Sequence, residues 1–245
     1  PVIELSERLA ALAPAGLGHA FYASDGASAA EIALKMSFHY WLQRGARDKT
    51  RYVRLAGGYH GETVGALGVT DVALFRAPYG PLLRSNPVLP SPALRDAGDI
   101  RSPQRAVDDA LGALDAYLRS DGATTAALIV EPLVQGAGGM AMYDARYLRR
   151  ARELTRAHDV HLIADEIMTG FGRTGTMFAC EQAEVTPDLL CLSKGITGGC
   201  LPLSCVLSTD AMFEAFYDDD VARGFLHSHS YTGNALACRA ALAVL

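Results

Sequence analysis

Short apolar segments alternate with amphipathic segments along most of the chain. The apolar segments have the length of strands and predict six of them, at residues 20–24, 52–56, 126–131, 161–165, 189–193 and 204–208. The amphipathic segments predict helices at residues 29–44, 103–119, 145–158 and 211–217, and helical patterns also cover residues 2–12 and 235–245. The alternation predicts an α/β fold with a mostly parallel sheet flanked by helices, and the Pro-rich residues 77–99 predict an irregular surface excursion.

Composition excludes several classes of function. The chain has 245 residues, of which 50% are hydrophobic and 20% charged, which suits one sizeable core. Its net charge of −5 and lack of a long basic run argue against a nucleic-acid partner. Since neither a membrane-length apolar stretch nor a signal-peptide pattern is found, we expect no membrane partner.

The cysteines and the chain ends add two expectations. Five cysteines without C-x-x-C pairing lie in apolar segments, which predicts reduced core thiols, a cytoplasmic location and no zinc site. Helical patterns run up to both ends of the chain without start or stop signals. We therefore expect these residues to form the middle of a longer polypeptide.

The most informative residue is a lysine at the end of a predicted strand. Lys194 follows an apolar run and opens a Gly-rich loop, whereas Lys35 and Lys49 lie in patterns typical of solvated surface charges. Burial at Lys194 is expected to lower its pKa and make it a usable amine. Asp165 ends the preceding predicted strand, and ligands bind at the carboxyl ends of such strands. An amine beside a carboxylate suits pyridoxal phosphate, although a lysine that merely caps a strand fits Lys194 alone equally well.

Four further segments carry candidate chemistry, each with a purely structural alternative. Residues 24–28 (SDGAS) open a helix, where backbone amides suit a phosphate or Asp25 or Ser28 acts as an N-cap. Tyr59 lies between glycines at residues 57–61, where it either stacks on a flat ring, with His60 as a hydrogen-bond donor, or packs in a turn. The segment at residues 131–139 places Glu131 at a strand end, where it either supports the residues that contact a ligand or is a solvated acid, and places Gln135 within reach of a cofactor hydroxyl.

Two polar segments lie further along the chain. Residues 170–175 (GFGRTG) do not open a helix after a strand, so a dinucleotide site is excluded and Arg173 is an anion-binding candidate or a surface charge. Residues 227–234 (HSHSYTGN) precede a helix and combine hydroxyls with His227 and His229. A phosphate contact, a metal site and a capping loop are all compatible with this segment, but a metal site lacks a nearby acidic ligand.

Taken in order, these segments resemble the class III aminotransferases of pyridoxal phosphate fold type I. The resemblance covers residues 21–245 and is carried by GYHG at 58–61, QGAGGM at 135–140, LIADEI at 162–167, GFGRTG at 170–175, FACE at 178–181 and PDLLCLSK at 187–194. It is strongest to the members of biotin synthesis, which convert 8-amino-7-oxononanoate to 7,8-diaminononanoate with S-adenosylmethionine as amino donor. The resemblance implies one large cofactor-binding domain at residues 1–245, with an N-terminal segment and a C-terminal domain missing.

The resemblance also implies roles for individual residues. Lys194 would form the Schiff base, Asp165 would pair with the pyridine nitrogen, and Tyr59 would stack on the ring. The Gly26–Ala27 backbone would bind the phosphate, and Ser230 would reach the phosphate of a neighbouring subunit, because family members are dimers. The remaining candidates, for support or substrate binding, are Glu131 and Arg173, with Tyr59 and Lys194 also expected to contact the substrate.

Departures from the family pattern are informative. Ala27 and Ser230 stand where relatives often have a hydroxyl residue and a threonine, respectively. Ala137 occupies the region where ornithine- and aminobutyrate-type members carry a glutamate, which favours the biotin-pathway members. The alternatives are another class III ω-aminotransferase and an inactive, truncated cofactor domain.

Overall fold

The structure, a computed structural model, describes residues 1–94 and 98–245. Nine strands are found in these residues: β1 (His19–Ala23), β2 (Arg51–Leu55), β3 (Val88–Leu89), β4 (Thr125–Val130), β5 (Val134–Gln135), β6 (Ala141–Met142), β7 (His161–Asp165), β8 (Leu189–Leu192) and β9 (Ser204–Ser208). Seven of them form one sheet in the order β1-β9-β8-β7-β4-β2-β3, and β5 and β6 pair as a separate hairpin.

The sheet is mostly parallel, which confirms the predicted fold class. Strands β3, β2, β4, β7 and β8 are parallel to one another, while β9 and β1 add an antiparallel edge. Every residue of β4, β7 and β8 is buried. Burial on both faces explains why these strands appear in the sequence as nearly continuous apolar runs.

Helices cover both faces of the sheet. They are α1 (Val2–Leu12), α2 (Gly26–Gln43), α3 (Val64–Val69), α4 (Ala73–Arg76), α5 (Pro103–Asp121), α6 (Ala145–Ala157), α7 (Asp210–Glu214) and α8 (Ala235–Val244). Leu128 and Leu162 belong to one core, which also includes residues of α1, α5, α6 and α8. Ile129 and Ile163, their neighbours in sequence, belong to the second core, which is filled largely by α2. This alternation divides the apolar strands between two helical layers.

The predicted strands and long helices are confirmed with small shifts at their ends, but short elements in Gly- and Pro-rich segments were missed. The missed elements are too short for a hydrophobic period to be detected in the sequence. They are β3, the β5–β6 hairpin, α3 and α4. The irregular excursion predicted for residues 77–99 is wrong in part, because it contains the 3₁₀ helix Ala77–Leu82 and β3, which pairs with β2 through its backbone. Residues 95–97 of that prediction lie outside the described residues.

Two observations bear on the expectations about membrane segments and cysteines. No helix in the described part of the chain is long and apolar enough to cross a membrane. Four of the five cysteines are buried free thiols, as expected, but Cys200 is exposed on the loop after β8.

Lys49 corrects one prediction about surface charge. Lys49 is only 7% exposed. Its Nζ donates hydrogen bonds to the backbone carbonyls of Gly122, Thr125 and Asp159 at 3.0, 3.1 and 2.7 Å. The ammonium also lies 4.5 Å from the ring centre of Trp41. It thereby joins the segments that lead into β2, β4 and β7. Lys35, by contrast, is exposed as predicted.

Lys49→Met should lower the free energy of unfolding by about 2 kcal/mol or more, because three buried carbonyls lose a charged donor while the side-chain volume is kept. Lys35→Met, at an exposed position, serves as the control and should change stability by less than about 0.5 kcal/mol. Urea unfolding of both variants measures the difference. Equal effects would show that Lys49 contributes no more than a surface charge.

Candidate active site

A cleft of about 520 Å³ opens at the carboxyl edge of the parallel strands. The segments that follow β2, β4, β7 and β8 meet there with the start of α2. Six of the predicted site residues line this cleft: Gly26, Ala27, Tyr59, Glu131, Asp165 and Lys194. The fold therefore brings together groups that are up to 168 positions apart in the sequence, from Gly26 to Lys194.

Asp165, the last residue of β7, lies at the base of the cleft and is 4% exposed. Its Oδ1 accepts a hydrogen bond from the backbone N–H of Ile167 at 3.1 Å. Its Oδ2 lies 2.7 Å from Nδ1 of His60, a residue that is 2% exposed. Since a carboxylate can accept about four hydrogen bonds, acceptor capacity remains on the side that lines the cleft.

Glu131 ties two walls of the cleft together. Its Oε2 accepts from the backbone N–H of Tyr59, and its Oε1 accepts from the backbone N–H of Gly136, both at 2.9 Å. Burial raises the pKa of Glu131, and only part of this effect is offset by His60 and the two backbone donors. Glu131 is therefore a buried support for the loops, and its predicted contact with a cofactor stays a prediction.

Tyr59 is half-buried at the mouth of the cleft. Its ring packs edge-on against Phe75 at 5.4 Å, and its hydroxyl donates to Oε1 of Glu62 at 2.9 Å. Burial, followed by the hydrogen bond to Glu62, raises the pKa of Tyr59 to about 12. The phenol therefore stays protonated near neutral pH and remains a hydrogen-bond donor.

The first turn of α2 packs tightly under the cleft. In the described residues, the backbone N–H groups of Gly26 and Ala27 have no protein acceptor, which leaves two donors at a helix N-terminus. A side chain on Gly26 would place its Cβ 2.9 Å from Cγ2 of Ile167. Asp25 caps this helix by accepting from the N–H of Ser28 at 2.9 Å. Burial would raise the pKa of Asp25, but hydrogen bonds from Ser28 and Ser24 outweigh it and lower the pKa, so the cap stays ionised.

Lys194 follows β8 and starts a 3₁₀ helix with a backbone φ of 42°, in the left-handed region. The expected burial of its side chain is wrong, because the residue is exposed at the cleft. Its apolar neighbours Leu192 and Ile196 are the buried residues. Gly195 follows it in close contact with Phe171, to which a Cβ would come within 3.0 Å.

The sequence profile of the aminotransferase class-III family matches residues 1–245. The chain belongs to the class III aminotransferases. It is 47% identical over its whole length to the adenosylmethionine-8-amino-7-oxononanoate aminotransferase of Nitratidesulfovibrio vulgaris, and it covers 46% of that protein. It therefore spans about half the length of the curated relatives it matches.

Solved structures give the same family. The adenosylmethionine-8-amino-7-oxononanoate aminotransferase of Methanocaldococcus jannaschii superposes with a TM-score of 0.91 at 36% identity, over 100% of this chain and 54% of that one. An amine transaminase from an uncultivated Pseudomonas species, in its PLP-bound internal aldimine form, superposes with a TM-score of 0.90 at 38% identity, over 99% of this chain and 55% of that one. Class III aminotransferases depend on pyridoxal phosphate, so the expected cofactor is confirmed at the level of the family.

Three residues singled out in the sequence are placed elsewhere by this class III fold. Arg173 and Ser230 are exposed on loops, and neither is among the residues that line the described cleft. Gln135 is 1% exposed, and its amide accepts from Ser91 at 2.7 Å and donates to the carbonyl of Ala56 at 3.1 Å. The amide of Gln135 thus supports the loop after β2, and its expected reach to a cofactor hydroxyl stays a prediction.

The histidines of the loop before α8 bind protein groups. Nδ1 of His227 lies 2.8 Å from Nζ of Lys35, and Nε2 of His229 lies 3.2 Å from Oγ of Ser24. In residues 1–94 and 98–245, no group of three or more His, Cys, Asp or Glu side chains is arranged to hold a metal ion. His229 instead links this loop to the segment that precedes α2.

Gly61→Ala should destabilise the protein more than Gly16→Ala. Both glycines have positive φ, 120° and 97°, so each alanine incurs backbone strain of about 1–2 kcal/mol. A Cβ on Gly61 would also meet Cβ of Ala27 at 2.6 Å, which adds about 1–3 kcal/mol of overpacking, whereas Gly16 faces open space. Urea unfolding measures the difference, and equal losses would contradict the close contact between this loop and α2.

Proposed function

We propose that the protein carries out pyridoxal phosphate-dependent transamination in biotin synthesis, converting 8-amino-7-oxononanoate to 7,8-diaminononanoate with S-adenosylmethionine as amino donor. The observation that carries the proposal is the single cleft in which Lys194, Asp165 and Tyr59 meet at the carboxyl ends of parallel strands. The high identity to biotin-pathway aminotransferases supports this choice within the family.

The cleft residues fit the cofactor group by group. The free N–H groups of Gly26 and Ala27 suit its phosphate, although the ionised Asp25 beside them opposes a second anion. Asp165 offers a buried carboxylate to the ring nitrogen, and Tyr59 offers an aromatic face at the cleft mouth. When bound, the cofactor supplies an electron sink that acidifies the substrate carbon bearing the amine.

Lys194 and Asp165 divide the proton chemistry. The Lys194 amine would hold the cofactor through its aldehyde, and as a free amine it would act as the base that moves a proton at the substrate carbon. Its position in the open cleft gives it the freedom for both tasks. Asp165 would hold a proton on the ring nitrogen, because a buried carboxylate and a cationic ring would stabilise each other.

The charges of the cleft support a cationic donor. Its described lining includes four carboxylates, from Asp25, Glu62, Glu131 and Asp165, and one lysine. This excess of negative groups favours the positively charged sulfonium and amino groups of S-adenosylmethionine. Met140, Ile167 and Met168 add apolar surface that suits the alkyl chain of the ketone.

The wider organisation rests on the relatives as well. We infer a cytoplasmic homodimer in which Ser230 of each subunit reaches the cofactor phosphate of the other, and its exposure agrees with a contact between subunits. Residues 1–245 would form the large cofactor-binding domain, with further segments completing the substrate site. Arg173 and Glu131 would support or bind the substrate from the loops after β7 and β4.

A second class III activity is the main alternative. The amine transaminase from Pseudomonas matches this chain as well in structure as the biotin-pathway enzyme from Methanocaldococcus jannaschii does. Fold similarity therefore does not select a substrate. An inactive cofactor domain is the remaining candidate, against which the complete set of Lys194, Asp165 and Tyr59 argues.

Lys194→Ala should abolish the visible absorption band of the lysine-bound cofactor, because the variant has no amine at this position. Lys35→Ala, which alters an exposed lysine, should keep the band. The measurement is an absorption spectrum of each purified full-length variant after addition of pyridoxal phosphate. A band that persists unchanged in Lys194→Ala would remove Lys194 from its proposed role.

At saturating pyridoxal phosphate, Asp165→Asn should retain the cofactor but lower the rate of transamination by about 100-fold or more, since a neutral amide does not hold the ring nitrogen protonated. Single-turnover kinetics with the loaded full-length variant test this, with bound cofactor quantified in parallel. Full activity would refute the role given to Asp165.

Donor preference separates the proposed reaction from its relatives. Full-length protein should form 7,8-diaminononanoate from 8-amino-7-oxononanoate with S-adenosylmethionine at a kcat/KM at least about 100-fold above that with alanine or simple amines. Product formation is followed by mass spectrometry. Efficient turnover of simple amines would assign the protein to the other ω-aminotransferases, and cofactor binding without any turnover would support a non-catalytic domain.

A further inference from the structure

A short polar contact in the wall of the cleft joins two buried side chains from different segments of the chain. His60 lies on the loop after β2, and its Nδ1 is 2.7 Å from Oδ2 of Asp165 at the end of β7. Their side chains are 1% and 4% exposed. A short hydrogen bond to a carboxylate in such a dry setting is a strong one, and it restricts the rotation of both groups.

The contact determines which imidazole nitrogen carries a proton. An ionised carboxylate only accepts hydrogen bonds, so Nδ1 of His60 must be the donor toward Oδ2. The backbone N–H of Ile167 binds the other oxygen at 3.1 Å. Asp165 is thus held at both oxygens, and these two hydrogen bonds set the plane of its carboxylate.

His60 is itself held firmly. Its backbone N–H donates to Oγ1 of Thr70 at 2.9 Å, and the same hydroxyl donates to the carbonyl of Gly61 at 3.1 Å. On the far side of the ring, a Cβ on Gly58 would come within 3.4 Å of Nε2. The imidazole therefore occupies a fitted site between a glycine backbone and the carboxylate.

We propose that His60 is a positioning residue that donates its Nδ1 proton to Asp165 and so holds that carboxylate, ionised, against the ring nitrogen of the cofactor. The role rests on the proposed cofactor function. His60 is among the residues that line the cleft, but its side chain is only 1% exposed and its Nδ1 is engaged by Asp165, so it acts on the cofactor through that carboxylate.

The test compares His60→Leu with His60→Asn in full-length protein. Leucine and asparagine have the same branched shape, but only asparagine places an N–H near the position of Nδ1. His60→Leu should weaken equilibrium binding of pyridoxal phosphate by about 10- to 100-fold, the size expected for a hydrogen bond to a charged group. His60→Asn should stay within about threefold of the wild type.

A spectroscopic readout separates this role from simple packing. The ¹⁵N chemical shift of ¹⁵N-labelled pyridoxal phosphate, bound to each variant, reports protonation of its ring nitrogen. It should match the wild type in His60→Asn and move toward the unprotonated value in His60→Leu. If His60→Leu does not fold, His60→Gln replaces it, because its longer side chain moves the amide nitrogen away from the Nδ1 position.

The outcomes distinguish the two proposals. Wild-type affinity and chemical shift in His60→Leu, or equal losses in both variants, would overturn the role of His60 while leaving the cofactor function intact. Failure of the wild-type protein to bind pyridoxal phosphate would overturn the proposed function, and the role of His60 with it.

Discussion

The common direction of β2, β4, β7 and β8 is the constraint on which the site depends. Parallel strands end at the same edge of a sheet, so the segments that follow them must meet. The pairing of Asp165 with Cys191 brings the end of β7 level with β8, and Lys194 follows three residues later. The register in turn depends on burial, since a slip by one residue would exchange the side chains that fill the two helical layers.

Buried polar groups then hold the loops in place. Glu131 joins the loops after β2 and β4, Thr70 holds the backbone around His60, and His60 holds Asp165. Burying carboxylates is costly unless they accept hydrogen bonds, and the raised pKa of Glu131 shows that the cost is only partly offset. At the opposite edge of the sheet, Lys49 performs a similar task with three backbone carbonyls. Buried polar side chains that hydrogen-bond to the backbone thus hold the segments at both ends of the central strands.

Prediction from the sequence succeeded where a residue's environment follows from its own segment. The positions of Asp165 and Lys194 at the ends of apolar strands could be inferred in this way. It failed for Lys49, because its partner Gly122 lies 73 positions away and no local pattern indicates that contact. It also failed for the exposure of Lys194, whose apolar neighbours are buried while its own side chain points into the cleft.

The sequence by itself determined the order of strands and helices, the family, and the identity of the amine and carboxylate at the site. These features depend on periodicity and on short motifs, which are local properties of the chain. Only the tertiary structure decided that His60 is bonded to Asp165, that Glu131 bridges two loops, and that Arg173 and Ser230 lie away from the described cleft. The physical reason is that hydrogen bonds between distant segments, and the burial that strengthens them, arise only when the sheet brings its strand ends together.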